Sequence, residues 1–467
     1  MSPSNAKRVE RDSLGEREVP ADAYYGIQTL RAVENFPISG WRPYPSLVKA
    51  TVQIKKAAAR ANATLGVLDS RIAEAIVTAA DEMLSGEMSD QFVVDPFQAG
   101  AGTSHNMNAN EVLANRAIEL LGGERGDYSK VHPNDHVNMG QSTNDVFPTA
   151  MRLASIELAG SLIKELDLLA VSFNARSREF DQIVKSGRTH LQDAVPIRLG
   201  QEFGGYAAAI AKDSKRLARS VSGLRKIGLG GTAVGTGLNA AAGYKARVVD
   251  ELKSITRYEL EAADNYFEAM HSMAPFADLS GALKTAATDI SRIANDLRLL
   301  SSGPHTGFAE IKLPAVQPGS SIMPGKVNPS IAEMVNMVCF QVMGNDVTIT
   351  LAAQAGQLEL NVMMPVIAFD LLMSLMILTN AVTAFRTRCV DGITADQERC
   401  RWYAEHSVSL VTALSPRIGY ARAAEIAKLA MARKKTIRQV VEEEGLMSSD
   451  ELDRVFDSSS LTEHQKN

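Results

Sequence analysis

The stretch DLSGALKTAATDISRIANDLRLL, residues 278–300, carries apolar side chains at alternating steps of four and three. This spacing is typical of a long helix with one apolar face, and that face must be covered by other elements. The members of the face are Leu279, Leu283, Ala286, Ile290, Ile293, Leu297 and Leu300. The pattern therefore predicts a helix that belongs to a helical bundle.

Long helical patterns continue on both sides of this stretch. Residues 144–180, 198–226 and 330–350 also have helical spacing, whereas sustained period-two alternation is scarce. Several apolar faces of this length can be buried only against one another, so they predict a bundle with few strands. We therefore expect an all-α fold.

The helical patterns are shorter at both ends of the chain than in its middle. We expect a mostly helical N-terminal domain over residues 1–143, a long-helix bundle domain over 144–398 and a small helical C-terminal domain over 399–467. A chain of 467 residues is longer than a single hydrophobic core usually supports, which agrees with several domains.

Composition excludes several classes of protein. Apolar residues make up 45% and charged residues 22%, so an ordered globular chain is expected. The net charge of -5 argues against nucleic acid as a partner. The N-terminal stretch lacks the apolar core of a secretory signal, and residues 371–385 are shorter than the roughly 20 residues of a membrane span. We expect no membrane association and a cytoplasmic protein.

The cysteines give no sign of a disulfide or a metal site. Cys339, Cys389 and Cys400 are odd in number and show no C-x-x-C spacing. This pattern favours buried reduced thiols. No metal-ligand spacing is visible elsewhere, so we expect no metal.

Five polar, glycine-rich segments interrupt the helices. They are QAGAGTSHNMNANE at 98–111, GQSTND at 140–145, SGRTHLQDAVP at 186–196, GLGGTAVGTGLNA at 228–240 and QPGSSIMPGKVNPS at 317–330. Four of them are closely followed by helical sequence, and the free N–H groups at a helix N-terminus bind carboxylates well. A segment of this kind, taken alone, is more often a polar loop with a capping hydroxyl. The GxG elements do not follow a strand and therefore do not indicate a dinucleotide site.

The last segment has a composition that suits chemistry better than regular structure. Residues 319–329 contain two serines, two glycines, two prolines, Lys326 and Asn328. The lysine and the amide can hold one carboxylate of a substrate. A serine there can act as a base if backbone N–H groups and Lys326 stabilise its oxyanion. The pattern predicts a mobile loop that contributes to an active site.

The sequence GSSIMPGKVNP, residues 319–329, resembles the signature loop of the aspartase/fumarase superfamily. The resemblance extends from ERDSLGEREVPADAYYGIQTLRAVENFPISG at 10–40 to IRQVVEEEGLMSSDELDRVF at 437–456, which is nearly the whole chain. All five polar segments fall where that family places its active-site segments. The resemblance implies a lyase that releases fumarate by anti-elimination through an aci-carboxylate, without a cofactor.

The resemblance also implies a role for each matched residue. Ser320 is the base, and His190 faces the leaving group with Asn144. Glu333 matches the acid that pairs with the family's histidine. The donors to the reacting carboxylate are Thr103, Ser142, Thr143 and Ser321, and those to the other carboxylate are Thr189, Lys326 and Asn328. The family is homotetrameric and shares each active site among three subunits, so a homotetramer is expected.

Within the family, several stretches are closer to aspartate ammonia-lyases than to fumarate hydratases. THLQDAVPIRLGQEF at 189–203 and GQLELNVMMPVI at 356–367 are examples, whereas NYFEAMHSMAPFADLSGALK at 265–284 is similar to fumarases. The resemblance thus implies L-aspartate deamination to fumarate and ammonia. The alternatives are a class II fumarate hydratase, a lyase for an N-substituted aspartate, and a non-catalytic member like the lens crystallins of this fold.

Three residues depart from the aspartase pattern. His105 stands where a smaller residue is usual, His305 follows Gly-Pro in place of arginine, and Met364 precedes Pro365 in place of glutamate. If these side chains line the pocket, the accepted amine or second carboxylate can differ from that of aspartate.

Overall fold

The computed structural model of the chain describes residues 6–463, and helices make up most of them. The helices are α1 Ile27–Asn35, α2 Pro45–Thr64, α3 Ser70–Leu84, α4 Thr103–Leu120, α5 Thr143–Glu179, α6 Leu199–Ser222, α7 Tyr244–Thr256, α8 Tyr266–His271, α9 Ala274–Leu300, α10 Ser330–Gln354, α11 Met364–Arg388, α12 Gln397–His406, α13 Ser415–Ile418, α14 Tyr420–Arg433, α15 Ile437–Glu443, α16 Ser449–Val455 and α17 Ser458–Thr462. The prediction of a mostly α fold is confirmed.

The strands are short and occur in pairs. They are β1 Lys7–Asp12, β2 Gly15–Pro20, β3 Val184–Thr189, β4 Gln192–Arg198, β5 Lys226–Ile227, β6 Glu261–Ala262, β7 Ile311–Lys312 and β8 Thr394–Ala395. β1 pairs with β2, β3 with β4 and β7 with β8 in antiparallel fashion, and β5 pairs with β6 in parallel. The β3–β4 hairpin contains one of the five polar segments.

The apolar face that opened the sequence analysis lies on α9. All seven of its predicted members are buried. Asp69 is a residue type that is preferred at a helix N-cap, so the sequence predicts a helix that starts after it. The structure confirms this, because the Asp69 side chain accepts hydrogen bonds from the N–H groups of Arg71 and Ile72 at the start of α3. The predicted boundaries of α5, α6 and α10 agree with the structure to within about four residues.

One helix boundary differs from the prediction. The sequence predicts a helix over residues 110–121, closed by Gly122 and Gly123, whereas α4 begins at Thr103. Its first two turns contain Asn106 and Asn108, and asparagine has a low intrinsic helix propensity. Both side chains are buried and hydrogen-bonded to other segments. Tertiary contacts therefore overrule the local preference.

The chain divides into two compact units, each built from three stretches. The first comprises the residues up to 163 together with 215–285 and 341–378, and the second comprises 164–214, 286–340 and the residues from 379 onward. In the first unit, buried side chains of α2, α3 and α4 form one hydrophobic core. In the second, a separate core lies among the C-terminal helices from Leu410 to Val455. The three consecutive domains expected from the sequence stay a prediction.

Within residues 6–463, two helices are long and apolar enough to cross a membrane, α5 and the stretch that begins with α11. In their most apolar windows, 67% and 61% of the residues are buried within the structure. This is the burial typical of core helices, as expected for residues 371–385. Cys339, Cys389 and Cys400 are buried free thiols, and burial raises the pKa of each to about 12.

Candidate active site

The segment at 98–111 forms a tight turn that leads into α4. Gly102 adopts a φ of 84°, and a Cβ there would lie 2.2 Å from the Phe147 ring, so only glycine fits. Gly102 is the N-cap residue of α4, so no side chain accepts a hydrogen bond from the first N–H groups of the helix. Thr103, the first residue of α4, is exposed, and its hydroxyl donates to the Gly100 carbonyl at 3.2 Å. An exposed hydroxyl at an uncapped helix N-terminus is a suitable site for an anion.

The segment at 140–145 begins α5 in the same unit. The Ser142 hydroxyl accepts a hydrogen bond from the Asn144 N–H at 3.2 Å. The Thr143 hydroxyl accepts one from Asn106 Nδ2, on α4, at 3.1 Å. Asn106 belongs to the segment at 98–111 and lies one turn after Thr103. The bond between Asn106 and Thr143 therefore joins the first two polar segments.

The segment at 228–240 joins the same cluster through Asp145. One carboxylate oxygen, Oδ2, accepts hydrogen bonds from the N–H groups of Gly230 and Thr232, each at 2.9 Å, and Oδ1 accepts one from Ser142 N–H at 2.9 Å. Asn144 Nδ2 also donates to the Ala233 carbonyl at 2.9 Å. Burial raises the pKa of Asp145 to about 6, although these three N–H groups oppose the rise. Three of the five predicted segments therefore converge in the first unit.

A buried lysine that the sequence analysis did not single out lies beside this cluster. Lys55 Nζ donates to Asn138 Oδ1 at 2.8 Å and to Gln141 Oε1 at 2.9 Å. Asn138 Oδ1 also accepts a hydrogen bond from Asn106 Nδ2 at 3.2 Å. Burial lowers the pKa of Lys55 to about 7, and the negative charge of Asp145 opposes this. The signal was present in the sequence, because a lysine on an otherwise apolar helix face is unusual.

His105, one of the departures from the aspartase pattern, belongs to the core. Its side chain is fully buried between the rings of Phe92 and Phe147. Its Nε2 lies 2.9 Å from the Thr51 hydroxyl, which donates its own hydrogen to Leu47. The proton of the ring is thus assigned to Nε2. Burial, followed by the nearby charge of Lys55, lowers the pKa of His105 to about 4, so the ring is neutral.

The other two departures lie in different environments. Met364 is fully buried at the start of α11, whereas His305 is exposed in the second unit. A buried Met364 acts on any site only through packing. Of the three, His305 alone presents its side chain to solvent.

The β3–β4 hairpin of the second unit carries Thr189 and His190 at its tip. Thr189 pairs with Gln192, which leaves His190 and Leu191 as a two-residue turn. Both turn residues have positive φ, 54° and 57°. Thr189 and His190 are exposed, so both side chains are accessible to a substrate.

The signature loop is held closed by its own hydrogen bonds. Asn328 Nδ2 donates to the Gly319 carbonyl at 2.7 Å, and the Gly319 N–H donates to the Lys326 carbonyl at 2.8 Å. These contacts fix the position of Ser320, which follows directly. Ser321 and Lys326 are exposed, whereas Ser320 and Asn328 are half-buried.

The Ser320 hydroxyl lies against the backbone of its own loop. Its oxygen accepts hydrogen bonds from the N–H groups of Ile322 at 3.2 Å and Met323 at 2.9 Å. Two backbone donors on one oxygen favour its deprotonated form. The backbone donors named in the prediction are in reach of this oxygen, and the role of Ser320 as the base stays a prediction. No hydrogen bond joins the Lys326 ammonium to Ser320 within residues 6–463.

Glu333 lies in the first turn of α10, just after the signature loop, and is half-buried. A carboxylate there is favoured by the helix dipole. Among the described residues of this single chain, Glu333 and His190 form no ion pair with each other, so their pairing stays a prediction. The same part of the chain has no group of three His, Cys, Asp or Glu side chains that could hold a metal ion.

Comparison with known proteins gives a consistent result. A family model described as Lyase matches residues 15–344, and one described as Fumarase C C-terminus matches residues 410–463. The chain is 50% identical over 455 residues to an aspartate ammonia-lyase of a Bacillus species, with 97% of both proteins covered.

Two solved structures have the same fold. A fumarate lyase:delta crystallin from Brucella melitensis, bound to cobalt, superposes with a TM-score of 0.95 at 53% identity, and the match covers 97% of this chain and 99% of that one. A class II fumarase from Schistosoma mansoni superposes with a TM-score of 0.94 at 38% identity, covering 99% and 100%. The identity is thus higher to the aspartate ammonia-lyase than to the fumarase.

Proposed function

The chain belongs to the aspartase/fumarase superfamily of lyases, and we propose that it is an aspartate ammonia-lyase, which converts L-aspartate reversibly to fumarate and ammonia. The observation that carries this proposal is the identity of about half the residues, along nearly the full length, with a protein of that name. The reaction breaks a carbon–nitrogen bond.

In the proposed mechanism, the Ser320 alkoxide removes a proton from the carbon next to one carboxylate of aspartate. The electron pair moves onto that carboxylate, which becomes an aci-carboxylate dianion. The double bond then forms as the electron pair returns and ammonia leaves from the neighbouring carbon. The N–H groups of Ile322 and Met323 support the alkoxide before the proton transfer.

The extra negative charge of the intermediate requires donors that are already in place. We assign this task to Thr103, Ser142, Thr143 and Ser321. Hydrogen bonds between the starts of α4 and α5 support the assignment of Ser142 and Thr143, because they fix the position of both hydroxyls before substrate binds. The Thr103 hydroxyl donates to the Gly100 carbonyl in the free chain and must rotate to donate to the substrate.

The other carboxylate and the amine need different partners. We assign Thr189, Lys326 and Asn328 to the carboxylate, and Asn144 and His190 to the departing amine. Asn328 uses one amide hydrogen within the chain, and its NH₂ has a second hydrogen to donate to the carboxylate. Asn144 donates to the Ala233 carbonyl, and its amide oxygen can accept a hydrogen bond from the amine. In this scheme Glu333 of a neighbouring subunit pairs with His190.

We propose a homotetramer in which neighbouring subunits share each active site. Support comes from α10, where a stripe of large apolar side chains is exposed in the single chain. Its members are Met337, Phe340, Val347 and Leu351, with 67%, 60%, 59% and 58% exposure. Their spacing of three, seven and four places them on one side of the helix. A stripe of this kind marks a protein interface. We also propose that the enzyme is cytoplasmic.

A single assay tests the proposed activity. The purified chain is incubated separately with L-aspartate, L-malate and N-substituted aspartates, and fumarate absorbance is followed. We expect fumarate from L-aspartate at the highest kcat/KM. Fumarate from L-malate alone would assign a fumarate hydratase, a preference for an N-substituted aspartate would assign a lyase for that substrate, and no fumarate from any of them would assign a non-catalytic role.

A further inference from the structure

The turn that carries His190 has a backbone conformation that its residues disfavour. A two-residue hairpin loop with both residues at positive φ usually contains asparagine and glycine. Here the loop is His190–Leu191, with φ of 54° and 57°. Side chains with a Cβ are destabilised in this region. Such a turn persists only where its surroundings hold it in place.

Two contacts anchor the hairpin at the second register pair from the turn, one contact on each strand. In the β3–β4 register, Arg188 pairs with Asp193. On β3, Arg188 Nη1 donates to Glu310 Oε1 at 2.8 Å. On β4, the Asp193 carbonyl accepts a hydrogen bond from the Ser409 hydroxyl at 2.9 Å. Both strands are therefore anchored at the same level of the hairpin.

Glu310 is a rigid anchor because its backbone is fixed independently of its side chain. Its N–H donates to the Leu300 carbonyl at 2.9 Å, and its carbonyl accepts from the Asp396 N–H at 2.9 Å. The side chain is completely buried. The Arg188 guanidinium in turn lies 4.2 Å from the centre of the Phe308 ring and 5.0 Å from that of Tyr403. The guanidinium is thus held by charge and by ring contacts.

The charges around Glu310 balance. Lys185 Nζ lies 2.9 Å from the second Glu310 oxygen and 2.8 Å from Glu202 Oε2. The cluster therefore contains two cations, Lys185 and Arg188, and two carboxylates, Glu202 and Glu310. If Arg188 and Glu310 are both replaced by neutral residues, Lys185 and Glu202 still balance each other in charge. A variant of this kind leaves no unpaired buried charge, which would be strongly destabilising.

We propose that the Arg188–Glu310 ion pair positions Thr189 and His190 for the substrate. This inference rests on the proposed function, which assigns those two residues to the second carboxylate and the amine. Successive side chains of a strand point to opposite faces, so Arg188 and Thr189 face opposite ways. Arg188 is therefore a positioning residue that acts through the backbone.

The decisive experiment compares two variants with equal loss of charge. Arg188→Gln/Glu310→Gln removes the anchor, and Lys185→Gln/Glu202→Gln removes the other pair and leaves the anchor in place. A misplacement of about 1 Å costs on the order of 100-fold in rate, so the first variant should lose about that factor in kcat/KM for L-aspartate, with a raised KM. The second should keep the wild-type kcat/KM. Equal losses in both variants would overturn the proposal.

A double-mutant cycle with Thr189→Ala tests whether the anchor acts through the turn. If it does, Thr189→Ala should reduce kcat/KM strongly in the wild type and only slightly in the Arg188→Gln/Glu310→Gln background. If the fold loss in kcat/KM of the combined variant equals the product of the two separate losses, Thr189 and the ion pair act independently. That result would contradict the inference.

A readout without catalysis separates this inference from the proposed activity. Amide hydrogen exchange of residues 186–195 should be at least about tenfold faster in Arg188→Gln/Glu310→Gln than in Lys185→Gln/Glu202→Gln. Unchanged protection would refute the positioning role even if the enzyme is an aspartase. Faster exchange in a protein that makes no fumarate would refute only the proposed activity. If the double variant does not fold, Arg188→Lys, which keeps the charge but loses the planar fork, takes its place in every measurement.

Discussion

Asp145 Oδ2 accepts the backbone N–H of Gly230 at 2.9 Å, although the two residues are 85 positions apart in the chain. The same carboxylate also accepts the N–H groups of Thr232 and Ser142. One buried side chain thus holds the loop at 228–240 against the start of α5. It thereby fixes the backbone of Ser142, one of the residues whose hydroxyls we assign to the reacting carboxylate.

Asp145→Asn should weaken both stability and catalysis. An asparagine has a single acceptor oxygen, so its NH₂ group must face at least one of the three N–H donors. We expect a loss of about 1–3 kcal/mol in unfolding free energy and a reduced kcat/KM. Thermal unfolding and the fumarate assay measure the two effects. The control is Asp264→Asn, at a surface carboxylate with 79% side-chain exposure, which should change neither stability nor kcat/KM. Equal effects of the two substitutions would contradict the role of Asp145 in holding the loop at 228–240 against α5.

Lys55 should make stability depend on pH above neutrality. Its pKa is about 7 in the folded protein and near 10.5 when unfolded. Because the folded pKa is depressed, the associated stability is present above pH 10.5 and is lost as the pH falls to 7. From pH 7 to 9 the wild type should therefore gain about 2–3 kcal/mol relative to Lys55→Met. If the pH profiles of thermal unfolding of the wild type and Lys55→Met run parallel, this prediction is wrong. The control is Lys49→Met, at an exposed lysine on the same helix, whose profile should run parallel to that of the wild type.

His105 should contribute to acid lability. Its pKa is lowered from 6.5 to about 4 by burial, so the stability of the neutral ring is present above pH 6.5 and is lost as the pH falls through 4. Relative to His105→Gln, whose amide can still donate to Thr51, the wild type should lose up to about 3 kcal/mol across that window. Chemical denaturation at pH 4.5, 5.5 and 6.5 tests this. A constant difference between the two proteins would show that His105 does not titrate there.

Ser320→Ala should keep the proposed tetramer and lose almost all turnover. The substitution removes the proposed base, and the backbone contacts that close the loop through Gly319 remain. We expect kcat to fall by at least about 10³-fold, with little change in thermal unfolding. The control is Ser85→Ala, an exposed serine that bonds only to a carbonyl in its own helix end. A rate like that of the wild type in Ser320→Ala would remove Ser320 as the base.

Phe340→Asp should dissociate the proposed tetramer. The side chain is 60% exposed in the single chain and lies in the apolar stripe of α10. A charge at the centre of a buried interface is strongly disfavoured. Analytical ultracentrifugation should show smaller species, and fumarate formation should fall with them if neighbouring subunits share each active site, as we propose. Tyr420→Asp, at an 84% exposed aromatic residue of α14, should leave the assembly unchanged. A tetrameric Phe340→Asp variant would exclude this stripe from the interface.

The local features of the fold were accessible from the sequence. The apolar faces of α5, α9 and α10 follow from helical periodicity, and the Asp69 cap follows from the preference for such residues at a helix start. The start of α4 was not predictable in this way. Its asparagines are poor helix formers, and their partners lie in other segments.

The candidate site divides in the same manner. The five polar segments are visible in the sequence because their residue types are unusual between helices, and the loop with Ser320 is the most distinctive of them. Lys55, Asn138 and Asp145 were not assigned a role, because each acts through partners distant in the chain. Lys55 left a signal in the sequence itself, because it is a charged residue on an otherwise apolar face of α2.

By itself, the sequence established a mostly α fold, the main long helices and the chemical character of the five polar segments, because periodicity and composition are properties of neighbouring residues. Only the tertiary structure decided which segments meet, which ionisable groups are buried and what holds the turn at His190. The bond between Arg188 and Glu310 spans 122 positions, and no local pattern encodes it. Burial and pairing depend on the packed chain as a whole, and they set the pKa values and the geometry on which the chemistry depends.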